Sequence, residues 1–173
     1  MTVGPSVRKL LLTAHITVTV GWMGAIGCVL GLAVLGLAAE DAGTVRGAYL
    51  AMEPLAWWVL MPLALASLLT GILQSLLTTW GLLRHYWVVL KLLITLFATV
   101  VLLMYTRTFA AMAEVAADPA SDLGAVRNPS PGLHAVLALL LLLAATVLAV
   151  YKPKGLTGYG RLRRGNIRKG GMV

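Results

Sequence analysis

The sequence predicts an all-α integral membrane protein: a four-helix transmembrane bundle with both termini cytoplasmic (N-in/C-in). Three observations carry that expectation. Hydrophobic residues make up 60% of the chain and charged residues 12%, against about 45–50% and about 25% in an ordinary soluble domain. Residues 10–39 and 54–83 carry no charge, 86–106 carry only Lys91, and 133–151 carry none. Each run reaches or nears the ~20 residues that cross a hydrocarbon core. Backbone in lipid must satisfy its own hydrogen bonds, so the runs are helices. The third observation is the segregation of charge between the two ends of these runs.

The spans are placed at about 10–39, 54–80, 86–110 and 132–151, forming one domain over 1–151 with a basic cytoplasmic tail at 152–173. Arg8 and Lys9 precede the first span, and Gly36-Leu37-Ala38 has the small residues of a cleavage site. The run is nevertheless far longer than the roughly 7–15 residues of a signal h-region, so it is read as a retained span. Residues 41–47 read as a short outer connection. In the second span, Pro62 leaves the Trp58 carbonyl without its donor and is expected to kink the helix. Residues 78–84 read as a tight inner turn and 114–132 as the longest loop. Ser130-Pro131 reads as the N-cap and first helical position of the fourth span. The tail, rich in Gly and basic residues, is expected to lie mobile on the inner leaflet against anionic lipids.

Arg8, Lys9, Arg84, Lys91, Lys152, Lys154, Arg161, Arg163, Arg164, Arg168 and Lys169 fall on one side. Arg46, Arg107, Arg127 and all the acids (Glu40, Asp41, Glu53, Glu114, Asp118 and Asp122) fall on the other. The positive-inside rule makes the first side cytoplasmic. The net charge of +8 is thereby a topology signal and no pointer to nucleic acid. Trp80, Tyr86 and Trp87 suit the inner aromatic belt, and Tyr49, Trp57 and Trp58 the outer one. A single cysteine, Cys28, excludes a disulfide framework and multi-cysteine metal sites. No phosphate loop, nucleophile elbow or zinc helix is present, so whether the protein is an enzyme stays open.

Polar residues inside spans are functional candidates by default. His15 lies five residues past Leu10 and Lys91 five past Tyr86, roughly 8 Å below the inner interface in both cases. Facing one pocket, they would favour an anionic or electron-rich ligand, or a metal on His15. Alternatively, Lys91 snorkels to the headgroups, and His15 is neutral and hydrogen-bonded to Thr19 or a neighbouring helix. Gly27 and Gly31 form a small-xxx-small face for helix packing, or with Gly24 a flat groove for a planar cofactor. Thr70, Gln74 and Ser75 reach the same inner level. Glu53 and Arg107 read as an ion pair near the outer interface, and His85 and His134 as interfacial residues on opposite sides. Met23, Met52, Met61, Met104 and Met112 are scattered and read as packing residues rather than a copper site.

His15, Trp22 and Gly24, with Thr70-Gly71 and Leu90-Lys91-Leu92-Leu93, resemble the helix motifs of the copper-resistance D (CopD) type of membrane domain. The His–Trp spacing, and Trp87 four residues before Lys91, also resemble the four-helix HemJ-type protoporphyrinogen oxidases. The chain is similar as well to actinobacterial four-helix membrane proteins without an assigned function. Cys28-Val29-Leu30-Gly31 stands where the oxidases have Pro-Arg, and Val89 where they commonly have a His. The resemblance implies a bacterial plasma-membrane protein. It implies that His15 and Lys91 match the residues tied to haem b, with His15 the metal ligand. Lys91, with Arg84 nearby, would then neutralise a propionate or supply a second ligand. The alternatives are an accessory or assembly protein, acting as a homo-oligomer or with a membrane partner, and a copper-handling transporter of CopD type.

Overall fold

The computed structural model describes residues 4–78 and 81–162. Trp80 and the tail residues Arg163, Arg164, Arg168 and Lys169 lie outside the described residues. Among the described residues the helices run in order α1 Pro5–Ala38, α2 Ala42–Leu55, α3 Met61–Leu77, α4 Tyr86–Ala117, α5 Leu123–Val126 and α6 Ser130–Tyr151, and residues 158–162 are helical as well. A π-helical turn, Ala56–Leu60, joins α2 to α3 without a break, so Ala42–Leu77 is one span. Among the described residues four helical segments are therefore long and apolar enough to cross a membrane, and the fold is an all-α transmembrane bundle. Only 17–28% of each segment's apolar window is buried within the chain. Most of its Leu, Val, Ile and Phe side chains must meet lipid instead.

Pro5 opens α1, where a missing N–H costs nothing. The chain reverses within 39–41, and Asp41 caps α2 by accepting from the Thr44 N–H (2.8 Å) and hydroxyl (2.9 Å). These bonds, the backbone one foremost, hold the Asp41 carboxyl below its ordinary pKa. The expected 41–47 connection is thus helical from Ala42 onward, because Asp41 supplies the acceptor that the first turn lacks. Between Pro54 and Pro62 the helix widens into the π turn, and the Met61 N–H reaches back to the Ala56 carbonyl. The expected disturbance at Pro62 takes this form. At α6 the N-cap is Pro129, with Ser130 and Pro131 following inside the helix, one position earlier than the sequence suggested.

α1 packs on α2, α3 and α6, and α4 closes the bundle against α2, α3 and α6. Trp22, Ile26, Val29, Tyr49, Met52, Leu60, Phe109 and Leu142 form the buried core. Ala33, Ala48, Ala56 and Ala64 are almost fully buried and let the backbones approach. At Gly36 the approach leaves no room at all: a Cβ there would lie 2.8 Å from the Tyr49 ring.

At ~1.5 Å per residue, α1, Ala42–Leu77 and α4 are each about 50 Å long, against a core of ~30 Å. The surplus can project beyond the membrane at the end that carries the acids. There Tyr49 is fully buried. Its hydroxyl donates to the Asn128 carbonyl (3.0 Å) and accepts from the Asn128 N–H (2.8 Å). Tyr49 is therefore a tie to the α5–α6 connection and not an outer-belt residue. Arg46 donates to the carbonyls of Ala116 (3.1 Å), Asp118 (2.6 Å), Pro119 (3.4 Å) and Ser121 (2.5 Å), and so caps the end of α4. Glu53 and Arg107 form no ion pair among the described residues. Glu53 lies in a shallow hollow with Pro54, Trp57 and Trp58, while Arg107 is exposed.

At the opposite end, the first described part of the tail is docked rather than loose. The Tyr86 N–H donates to the Gly155 carbonyl (3.4 Å), and the Thr157 N–H and hydroxyl donate to the carbonyls of Arg84 (3.1 Å) and Leu83 (2.6 Å). His85 and Leu156 form an isolated antiparallel bridge. Lys152, left-handed at φ 44°, makes the turn out of α6. The expectation of a mobile tail is corrected over 152–162, because the polar backbone of 83–86 offers it partners.

Candidate functional site

The described ends of the chain meet at the basic end of the bundle around a cavity of about 700 Å³. Ligand cavities typically occupy ~300–1,000 Å³. α1, α3, α4 and α6 form its walls. Arg8 and Lys9 reach it from the first turn of α1, Lys91 from α4 and Lys152 from the turn after α6. His15, Thr19, Ser67, Gln74, Ser75 and Thr95 add polar groups deeper between the helices. His15 and Lys91 therefore share one cavity, and the Lys91 charge is felt at His15.

The setting of His15 follows from a chain of hydrogen bonds. The Thr70 hydroxyl donates to the Ala66 carbonyl at 2.7 Å. Having spent its proton there, Thr70 Oγ1 accepts from His15 Nδ1, 2.9 Å away. The Ser67 backbone also hydrogen-bonds the imidazole, so α3 holds the ring through both Thr70 and Ser67. This is the arrangement in which a second group fixes the tautomer and orientation of a metal-binding imidazole. Gly71 makes room for the ring, since a Cβ there would stand 3.2 Å from His15 Cε1. One turn along, Thr19 and Ser67 share a hydroxyl hydrogen bond at 3.0 Å. Positions 15 and 19 of α1 thus match 70 and 67 of α3 as two polar rungs.

Lys91 has no carboxylate partner among the described residues. Its ammonium lies 5.9 Å from the centre of the Trp87 ring, one turn back toward the basic end, as helical side chains lean. Lys152 lines the same cavity. No Asp or Glu lines the cavity, and every acid in the sequence sits toward the other end of the bundle. Arg8, Lys9 and Lys152 are exposed at this end, and Lys91 is half-buried.

The remaining expected site residues fall elsewhere. Trp22 is 1% exposed and belongs to the core. Gly24 lies on an open face with nothing within 4 Å of a built Cβ. Gly24, nine residues beyond His15, falls on the opposite side of α1, whereas Trp22, seven residues beyond, lies on the same side about two turns further along, in the core. Arg84 lines no part of the cavity; its carbonyl instead anchors the tail. Gly27 and Gly31 also face open space, so they form no helix contact inside this chain. His134 bonds through Nδ1 to the Ser130 carbonyl (2.9 Å) and stacks on Tyr105 at 4.2 Å, remote from His85. No group of three His, Cys, Asp or Glu gathers among the described residues.

Arg8, Lys9 and Lys152 are cavity residues that motif reading passed over, as was the pairing of Thr19 with Ser67. The cations had been absorbed into the topology count. The matched hydroxyl spacings on the first and second spans were the available signal. No family model, curated protein or solved structure matches the chain.

Proposed function

We propose that this multi-pass membrane protein binds haem b, or a porphyrin of the same class, in the cavity at its basic end. The observation that carries the reading is His15, hydrogen-bonded to Thr70, inside a cavity lined by cations and no acid. These residues fit the group. An imidazole nitrogen suits haem iron, Gly71 clears space beside the ring, and the cations suit acidic substituents. His15 would hold the metal, and Lys91 would stand beside the group as a counter-charge. Bound haem would supply an iron centre that changes oxidation state. The chain's own contribution is to bind, to orient the imidazole and to shield the group from water between α1, α3, α4 and α6.

The basic end is read as cytoplasmic from the positive-inside rule, in a bacterial plasma membrane, with anionic lipids around the tail. Purified protein titrated with haemin should develop a shifted Soret band that His15→Ala loses. A spectrum that stays that of free haemin would end this reading. Retention of copper through purification, with copper tolerance changed on deletion, would favour the copper-handling alternative.

A second reading has its own observation. Gly24, Gly27 and Gly31 present an open small-residue face, the kind that membrane helices use to associate. It supports an accessory role through self-association or a membrane partner. Gly27→Leu would then lower the apparent mass in mild detergent while leaving haemin binding intact.

A further inference from the structure

Away from the basic cavity, one carboxylate stands beside two indoles. Glu53, Pro54, Trp57 and Trp58 line a hollow of about 370 Å³ on the span Ala42–Leu77. Glu53 is half-buried, and its carboxylate has no hydrogen-bond or ion-pair partner among the described residues. The π turn makes this grouping. In a regular α-helix Trp57, four residues on, would return to the side of Glu53, but Trp58 would stand about 140° away. Here the Met61 N–H bonds back to the Ala56 carbonyl, and the widened turn brings both indoles to one hollow. Such turns inside helices recur at functional sites.

The depth of the hollow follows from the helix. Counted from Leu77 at the basic end, about twenty residues at ~1.5 Å each reach Trp57 after ~30 Å, the thickness of the hydrocarbon core. The indoles then sit at its far boundary and Glu53 at headgroup level. An interfacial belt accounts for the indoles. It does not account for an unpaired acid beside them.

We propose that this hollow binds an alkylammonium group, as carried by the headgroup of a choline or ethanolamine phospholipid or by a free organic cation. The carboxylate supplies the counter-charge, and the indole faces attract the cation through the ring quadrupole. A hard metal ion fits less well, since calcium takes about six to eight oxygen ligands and the side chains here offer one carboxylate. The site is separate from the haem reading and stands without it.

Full-length protein in dodecyl maltoside micelles is titrated with dihexanoyl phosphatidylcholine, dihexanoyl phosphatidylglycerol and tetramethylammonium chloride, followed by tryptophan fluorescence. The phosphatidylcholine response should saturate. The phosphatidylglycerol response should not, since that lipid shares the chains but carries no ammonium. Saturation by tetramethylammonium as well assigns the site to the cation from either source; saturation by phosphatidylcholine alone assigns it to the lipid. Glu53→Gln and Trp58→Leu should each weaken binding about 2–5-fold, the value of one exposed cation–π contact or surface ion pair, with far-UV circular dichroism unchanged. Trp58 is 81% exposed, so its loss leaves the core intact, and Trp57 still reports. Equal responses to the two lipids, no saturation by either ammonium compound, or wild-type affinity in Glu53→Gln would overturn the proposal.

Discussion

Thr70→Val separates support of the imidazole from general packing. Valine keeps the shape of threonine and deletes the hydroxyl that accepts from His15 Nδ1 at 2.9 Å. The same change removes the bond to the Ala66 carbonyl at 2.7 Å, which the helix's own backbone ladder partly covers. His15 then loses one of its two ties to α3. Losing such a supporting partner typically weakens metal affinity about 10–100-fold, which is about 1.4–2.8 kcal/mol. The loss in stability should be smaller, since hydrogen bonds between membrane helices average about 0.6 kcal/mol. Haemin titration should therefore show a dissociation constant raised about 10–100-fold, while denaturant unfolding in micelles shifts little. Thr70→Ser, which keeps the hydroxyl, should bind as wild type does. A folded Thr70→Val protein with wild-type affinity would refute the role given to this bond.

Other consequences concern the frame around the site. Gly36→Ala places a methyl 2.8 Å from the buried Tyr49 ring and should cost about 1–3 kcal/mol by overpacking, read by unfolding in mild detergent. Arg46→Gln strips charged donors from the carbonyls of Ala116, Asp118, Pro119 and Ser121. It should cost about 1.5–3 kcal/mol and speed amide exchange at the end of α4. The Asp41 carboxyl is held low by Thr44, so its capping contribution is full above the unfolded carboxylate pKa and is lost as pH falls through the lowered folded value. Exchange of the Thr44 amide should therefore accelerate on acidification, and Asp41→Asn should remove most of that pH dependence. Single cysteines placed at Ser6 and Gly158, in a Cys28→Ser background, should react with membrane-impermeant thiol reagents only after the cells are opened. Labelling of intact cells would reverse the proposed orientation.

Much of the fold was legible because burial in lipid simplifies the code. Apolar runs, charge-free but for Lys91, marked the four crossings, and matched depth put His15 and Lys91 at one level. Their ends were harder to read. The short polar stretch 41–47 resembles a loop until Asp41 is recognised as a cap. Pro62 announces disturbance but not the π turn that absorbs it. Glu53 and Arg107 share a level but not a face, since Tyr49, Met52, Phe109 and Met112 fill the buried core there. Helix rotation is set by such packing: Trp22, two turns beyond His15 on the same side, enters the core, while Gly24 faces the opposite, open side. The docking of 155–157 on 83–86 rests on backbone groups, which leave little trace in residue type. Lys152 counted as one more tail charge until that docking placed it in the cavity.

The central claim is that the His15 imidazole is the group that meets the ligand's metal. Haemin added to His15→Ala should give a weak, free-like spectrum, and millimolar imidazole should then restore the ligated Soret band by filling the vacated position. An unaltered ligated spectrum in His15→Ala without imidazole would contradict it.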